Sequence, residues 1–251
     1  MKNTLLNKIA ENLRIVMVEI THPGNIGAAA RAMKNMGQRN LYLVKPRIFP
    51  SAEVTARAAG ADDILARAVV CDSLQDALRD CVLVVATTAR ARTIAWPVTT
   101  PRACVPDIIA GSASGPVAIV FGRESSGLNN DELELCNMAM QIPADPGFSS
   151  LNVASAIQII CYEILQSVMT GNPNELKKEK SQLASAEKMR LFYAHLEECM
   201  TDIGYYDPGV PRSLMRRMKR LFNRARLDQD EINILRGLLS TIQEATGKKR
   251  K

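Results

Sequence analysis

LRIVMVEITHPGNIGAAARAMKNMG, residues 13–37, sets the reading of the whole chain. Its first eight residues are a short, nearly continuous apolar run, as expected of a strand covered on both faces. Thr21 to Asn25 break the pattern with Pro23 and Gly24, and a helical pattern follows over 26–36. Strand, loop and helix in that order form the repeating unit of a parallel sheet. Similar apolar runs recur at 41–44 (LYLV), 82–86 (VLVVA) and 117–121 (VAIVF), with shorter candidates at 68–71 (AVVC) and 138–142 (MAMQI). Helical patterns lie between and after them at 52–59, 73–80, 128–136 and 152–169. The order predicts an α/β domain with a mainly parallel sheet. In such sheets ligands sit at the carboxyl ends of the strands, so the loops that follow the strands are where chemistry belongs.

In the first of these loops the glycines fall at 24, 27 and 37 and match neither G-x-G-x-x-G nor the G-K-[ST] of a P-loop. Asn25, Gly27 and Arg31 are instead spaced N-x-G-x-x-x-R, which puts Gly27 and Arg31 on one helix face near its positive end. A plain glycine turn with an exposed arginine reads equally well. After the fourth strand comes ATTARART (86–93), and after the fifth FGRESSGLNNDEL (121–133). There Gly122 lets a ligand approach the backbone, and Arg123 and Glu124 are placed to pair; Glu124 also reads as a solvated loop carboxylate. After the sixth, Ile142-Pro143 leads into PGFSSLNVASAIQIICYEIL (146–165). Val153, Ala156, Ile157, Ile160, Cys161, Ile164 and Val168 make one apolar helical face, but Ser149, Ser150 and Asn152 crowd its start with more polar groups than one cap needs.

The chain has 251 residues and a net charge of +6 that is unevenly spread. Residues 1–172 carry 15 Lys/Arg against 15 Asp/Glu, whereas residues 173–251 carry 17 against 11. The change falls at Thr170-Gly171-Asn172-Pro173, a helix-stop and turn signal followed by ELKKEK. Two domains are expected, 1–172 and 173–251. No run of eighteen apolar residues and no apolar h-region at the N-terminus point to a cytoplasmic protein without a membrane span. The six cysteines are scattered without C-x-x-C spacing and read as reduced core thiols. His22 reads as a loop or capping residue and His195 as structural. No cluster has metal-ligand spacing, so no metal is expected, and no G-x-S-x-G marks a serine hydrolase.

The second domain is helical and basic. Leu183, Met189, Phe192, Leu196 and Met200 predict a helix over 183–200. RSLMRRMKRLFNRAR (212–226) holds seven Lys/Arg and no acid. Leu214, Met215, Met218, Leu221 and Phe222 share an arc of about 120°, leaving basic side chains on the rest. Arg216, Arg217, Lys219, Arg220 and Arg224 are the candidate phosphate contacts, although such a helix also reads as a solvated face or a membrane contact. Asp228 and Glu231 form a capping-box pattern for a last helix through Ile232, Leu235, Leu238 and Ile242. The tail KKRK (248–251) reads as disordered.

N-x-G-x-x-x-R after the first strand, F-G-R-E-x-x-G-L after the fifth and the I-P…S-S-L-N-V-A helix start resemble the three motifs of the SPOUT-class RNA ribose 2′-O-methyltransferases. They occur in the same order, across residues 13–170. RRMKRLFNRARLDQDEINILRGLL narrows the resemblance to bacterial tRNA methyltransferases of that class. The resemblance implies a SPOUT fold, an α/β sheet with a deep trefoil knot at its C-terminal side, acting as a homodimer with S-adenosylmethionine on tRNA. Its implied target is the first nucleotide of the anticodon loop, position 32, a cytidine or uridine. Another tRNA site or ribosomal RNA is the alternative, and a noncatalytic dimeric RNA-binding regulator is the rival from a different class. It further implies that Thr87, Thr88, Ala89, Gly122, Ile142, Ser149, Ser150 and Leu151 line the cofactor pocket, with Ser150 and Asn152 facing the reaction centre. Arg31 is implied at the ribose hydroxyl. Since guanidinium resists deprotonation, its expected task is to clamp a phosphate and stabilise developing alkoxide charge. Asn25 is expected to position Arg31 or the ribose, and Glu124 to orient the arginine.

Overall fold

The computed structural model describes residues 2–89, 98–171, 183–209 and 213–247. Seven strands, β1 (Leu13–Val18), β2 (Asn40–Val44), β3 (Val69–Cys71), β4 (Leu83–Thr87), β5 (Val98–Thr99), β6 (Val117–Phe121) and β7 (Met138–Met140), form one sheet in the order β3-β2-β1-β6-β4-β7-β5. Every pairing is parallel, so among the described residues the sheet is wholly rather than mainly parallel. The helices of this part are α1 (Lys2–Asn12), α2 (Pro23–Asn35), α3 (Ala52–Ala58), α4 (Asp62–Ala66), α5 (Leu74–Leu78), α6 (Pro101–Ser114), α7 (Asn130–Leu133) and α8 (Val153–Thr170). Then follow α9 (Ala186–Asp202), α10 (Leu214–Ala225) and α11 (Gln229–Ala245).

The continuous apolar runs are explained by two buried faces. Ile15, Met17, Leu41, Leu43, Leu83, Val85, Val117, Ile119 and Phe121 belong to one core, which α2, α6 and α8 cover. The alternate residues Val16, Val18, Val44, Val84, Ala86, Ala118 and Val120 belong to a second core with Leu74, Leu78 and Leu133. The central strands β1, β4 and β6 therefore need apolar residues at nearly every position, not at every other one, whereas β3 and β5 at the sheet's edges are largely exposed. The sequence pattern predicts neither α1, α4, α6 nor β5. In α6, Pro101, Pro106 and Gly111 interrupt the periodicity, yet Pro101 stands in the first turn, where its missing N–H costs nothing. Thr100 caps that helix by accepting from Ala103 N.

α8 is 18 residues long with a mean hydropathy of 1.3, long and apolar enough to cross a membrane by those measures alone. It instead buries Val153, Ala154, Ile157, Ile160, Cys161, Ile164 and Val168 in the core between α2 and α6. Its opposite side leaves Tyr162 and Met169 exposed.

α9, α10 and α11 enclose a core of their own, built on Met189, Phe192, Leu196, Met200, Met215, Ile232 and Leu239. Phe222 meets Phe192 edge-on at 4.9 Å. Leu183, expected inside a helix, lies before α9, which starts after the Ser185 cap; Leu183 bridges Asp228 and packs on the sheet's core. The Asp228–Glu231 capping box is present, with both bonds at 2.9 Å. His195 is buried and bonded to Gln243 at 3.0 Å. All six cysteines are free, five of them buried. The segment from Asn172 through ELKKEK, residues 90–93 of the ATTARART loop, and the KKRK tail lie outside the described residues.

The helical unit is fastened to the sheet through α10. Asn223 donates to the carbonyls of Glu134 and Cys136, at 3.0 and 3.2 Å, and accepts from Tyr193 Oη at 2.7 Å. Arg216 and Lys219 both bond the Glu134 carboxylate, and Arg226 pairs with Asp107 at 3.0 Å.

Candidate active site

A cleft of about 290 Å³ opens at the carboxyl ends of β4, β6 and β7. Thr87, Thr88 and Ala89 line it from one strand end, residues 122–128 from the next, and Ile142 with residues 149–153 from the third. All eight expected cofactor residues thus meet in one place. The loops are held by the sheet itself: Thr87 Oγ1 donates to Val120 O at 2.9 Å, and Thr88 N to Met140 O at 2.9 Å. Ser125, Ser126, Leu128, Met140, Val153 and Ala156 also line the cleft. The two serines stand at the variable positions of F-G-R-E-x-x-G-L, which is why a motif reading passes over them.

Two glycines have reasons other than a ligand. A Cβ on Gly122 would lie 2.2 Å from Gly127 C and 2.3 Å from Leu128 N, so the protein's own loop makes the close approach, returning through the Arg123–Gly127 bridge. A Cβ on Gly27 would lie 2.1 Å from Val54 O, so that glycine exists to let α2 press on α3. The anticipated Arg123–Glu124 pair is absent. Arg123 reaches Glu19 at 2.9 Å and Glu132 at 2.9 Å, and these bonds raise its pKa.

Glu124 turns towards the loop after β1. Its carboxylate accepts from Thr21 N (3.2 Å), Thr21 Oγ1 (3.0 Å), His22 N (3.2 Å) and Asn25 Nδ2 (3.0 Å). Partial burial alone would raise its pKa, but the bonds from Asn25 and the backbone amides outweigh burial and hold the carboxyl at about 2. His22 stands at the N-cap of α2, and its side chain makes no capping bond to the helix. Glu124 supplies the negative group that this helix end lacks. Asn25 Oδ1 in turn accepts from Asn152 Nδ2 at 2.9 Å, and Asn152 Oδ1 caps α8 by accepting from Ala154 N at 2.9 Å and Ser155 N at 3.4 Å. The polar crowding before α8 thus has a structural part: Asn152 caps its own helix and grips the loop after β1.

Arg31 is not part of this relay. It is exposed on α2 and makes no hydrogen bond or ion pair among the described residues, so neither Asn25 nor Glu124 orients it within the chain. Both amide groups of Asn25 are already used, by Glu124 and Asn152. Ser150 is exposed at the cleft mouth. On α10, Arg216 and Lys219 are engaged by Glu134, and Arg216 also by Asp131 at 3.3 Å. Arg217 and Arg224 are exposed and Arg220 is half-buried, and none of the three makes an ion pair among the described residues. The basic arc of α10 is therefore split between a docking edge and an open edge.

A family model described as the SpoU rRNA Methylase family matches residues 12–162, and one for the C-terminal domain of tRNA methyltransferase TrmJ matches residues 187–251. A tRNA (cytidine/uridine/adenosine-2′-O-)-methyltransferase TrmJ of Pseudomonas aeruginosa is 46% identical over 243 residues, 93% of this chain and 95% of its own length. The crystal structure of TrmJ from Z. mobilis ZM4 superposes with a TM-score of 0.80 at 35% identity, covering 92% of this chain and 98% of that one. The SpoU methyltransferase AviRb from Streptomyces viridochromogenes, in complex with the cofactor AdoMet, shares the fold with a TM-score of 0.51 at 22% identity over 63% of this chain and 58% of that one.

Proposed function

The chain belongs to the SpoU rRNA methylase family, and on that premise we propose that it is a tRNA ribose 2′-O-methyltransferase using S-adenosylmethionine. Its target in this reading is nucleotide 32, a cytidine or uridine, and its place of action is the cytoplasm. The residues of the cleft suit the cofactor. Arg123 is neutralised by Glu19 and Glu132, while Glu124 stays anionic and its donors are all uncharged, so among the described residues the free charge at the cleft is negative. That sign favours a sulfonium cation, and Ile142, Leu128 and Leu151 offer it apolar walls. When bound, S-adenosylmethionine supplies a methyl group on an already activated leaving group.

What remains for the protein is mostly position. Holding two reactants in line is worth ~7–11 kcal/mol in favourable cases. The strand-end loops form the cradle, and Ser150 and Asn152 at its mouth face the incoming ribose. A carboxyl held at about 2 is too weak a base to take the hydroxyl proton readily, so Glu124 acts by fixing Asn25 and the start of α2. Arg31, outside the cleft and unpaired among the described residues, is free to take an RNA phosphate and to stabilise negative charge on the attacking oxygen. Arg217, Arg220 and Arg224 give the helical unit its own phosphate contacts.

The assembly in this reading is a homodimer. Ile159, Tyr162, Leu165 and Met169 fall on one side of α8 and are only partly covered or exposed, and Phe148 stands 82% exposed just before that helix. An apolar stripe of that kind needs a partner surface. The trefoil knot belongs to the same reading. The strand order β6-β4-β7-β5, in which β4 lies between two strands that follow it in the chain, β6 and β7, supports it.

The observation that carries the proposal is the junction of three loops through one carboxylate: Glu124 holds Asn25, Asn25 holds Asn152, and Glu124 and Asn152 border the cleft that gathers the expected cofactor residues. Incubating the purified protein with labelled cofactor and bulk unmodified tRNA, then mapping the label, tests it. Methyl on a ribose 2′-oxygen is expected. Methyl on a base, or no label on RNA, would overturn it, and a ribose other than nucleotide 32 would move the target.

A further inference from the structure

We propose that Arg47 and Arg57 form a second phosphate-contact strip, on the sheet unit itself, that grips the RNA backbone beside the α2 N-terminus. This rests on the RNA-methylating reading above and adds a binding surface to it. The strip follows from where β2 sends the chain. Beyond Val44 the segment 45–51 crosses towards the loop after β1, and Arg47 N donates to Ile20 O at 3.1 Å. That places Arg47 beside Thr21 and His22, the residues that Glu124 holds. Arg57 comes from α3. A Cβ on Gly24 would lie 3.4 Å from Arg57 Cγ and 3.7 Å from Arg57 Nε, so the arginine stem lies across the first turn of α2, one residue from Asn25.

Both guanidinium groups are exposed, and neither makes a hydrogen bond or an ion pair among the described residues. Nearby basic groups differ in this respect. Lys34 is paired with Asp63 at 2.7 Å, and Arg123 is shared by Glu19 and Glu132. Lys45 lines a separate cleft with Glu19, Asp72, Asp131 and Glu132, where carboxylates outnumber it. Glu53 reaches towards Gly24, its Oε1 2.9 Å from that same Cβ position, but does not pair with Arg57. Two exposed planar forks without a pairing carboxylate among the described residues are suited to phosphate oxygens. The two lie on different elements and are both exposed, which fits successive phosphates of a strand better than one small anion. Arg31, one turn beyond Gly27 on α2, extends the same line.

The test is tRNA affinity against salt for the full chain and for Arg47→Gln/Arg57→Gln. Removing two phosphate-binding groups should weaken binding roughly tenfold and reduce the slope of log K against log salt by up to ~1.4–1.8. S-adenosylmethionine binding by calorimetry should be unchanged, because the cleft lies beyond Glu124. Glu53→Gln should act in the opposite sense and tighten tRNA binding. If the double variant loses thermal stability, Arg47→Gln alone decides, with about half the slope change. A folded variant with wild-type affinity and slope overturns the strip. Methylation of tRNA ribose by the wild-type protein in the same preparation would leave the functional reading standing, so the two fail separately.

Discussion

Glu124 and Glu134 both follow β6 and precede β7, and both are carboxylates with several partners, yet they do opposite things. Glu124 is held by four donors, all of them neutral, and keeps its charge. Glu134 is held by Arg216 and Lys219, and its charge is cancelled. The first organises loops that came from distant parts of the chain around a cleft. The second rivets one folded unit to another. A carboxylate with neutral donors remains a source of field at low dielectric, and its pKa falls because the ionised form is the one bonded. A carboxylate with cationic donors has no field left to offer, and its worth is geometric. Burial follows the same division, with Glu134 only 8% exposed and Glu124 half-buried at the cleft rim.

The sharpest way to break this comparison is Glu124→Gln. The amide keeps the shape but turns an N–H₂ group towards donors, so Thr21, His22 and Asn25 cannot all be satisfied. Methyl transfer should fall about a hundredfold or more, in line with losing a group that positions a reaction centre. Cofactor affinity should change much less, since most of the residues lining that cleft come from other loops. Single-turnover rates beside calorimetric binding separate the two. Equal rates for variant and wild type would reduce Glu124 to a surface cap.

On the other carboxylate the loss should be in stability. Arg216→Gln with Lys219→Gln leaves Glu134 facing Asn223 and the protein interior without a cation. Breaking a fully buried pair costs about 3–5 kcal/mol. Because Arg216 and Lys219 are each about a third exposed, solvent screens part of this, and about 1–3 kcal/mol is expected. Calorimetric melting should show the helical unit loosening first. A melting curve identical to wild type would mean that Asn223, the Arg226–Asp107 pair and the backbone bonds of Ala186 and Glu187 carry the docking without them.

Acid tests the first of the two by itself. Glu124 has its carboxyl lowered from 4.5 to about 2 in the folded chain. A lowered pKa means stability that is present above about 4.5 and is lost as the pH falls towards 2. The melting-temperature gap between wild type and Glu124→Gln should therefore narrow as pH is lowered through that window. A gap that stays constant from pH 5 to 2.5 would show that Glu124 is not ionised against its donors.

Much of this architecture is legible in the residues alone. The strands that build the centre of the sheet are continuous apolar runs because both faces are buried, and such runs stand out in a sequence. α6 does not, because prolines and a glycine interrupt a helix that the surrounding core tolerates. At the site, the cleft residues from Gly122 to Leu128 and from Ile142 to Val153 are readable from two motifs, since each is a contiguous loop, whereas Thr87 to Ala89 follow only from the family resemblance. Their partners are not readable. Nothing in FGRESSGL says that Arg123 turns back to Glu19 or that Glu124 reaches Thr21, because those contacts depend on which strand ends lie side by side. For the same reason a helical wheel shows α10 as one basic arc, whereas the acidic residues that claim Arg216 and Lys219 come from α7 and its end, more than eighty positions earlier.

That split of α10 gives the smallest but most discriminating expectation. Arg217, Arg220 and Arg224 recur at three- and four-residue spacing on the edge facing away from Glu134, so replacing all three with Gln should leave docking and melting temperature unchanged. If they touch phosphates, the slope of log K against log salt should fall by up to ~0.7–0.9 for each phosphate no longer neutralised. Methylation at saturating tRNA should largely persist, because none of the three borders the cleft. The Arg216→Gln/Lys219→Gln variant should show the converse pattern, with a lowered melting temperature and a nearly unchanged salt slope. Matching behaviour in the two sets would mean that α10 does not divide its charge between docking and RNA. Measured together, melting and salt dependence thus assign each arginine of one helix to a protein carboxylate or to a nucleic-acid phosphate.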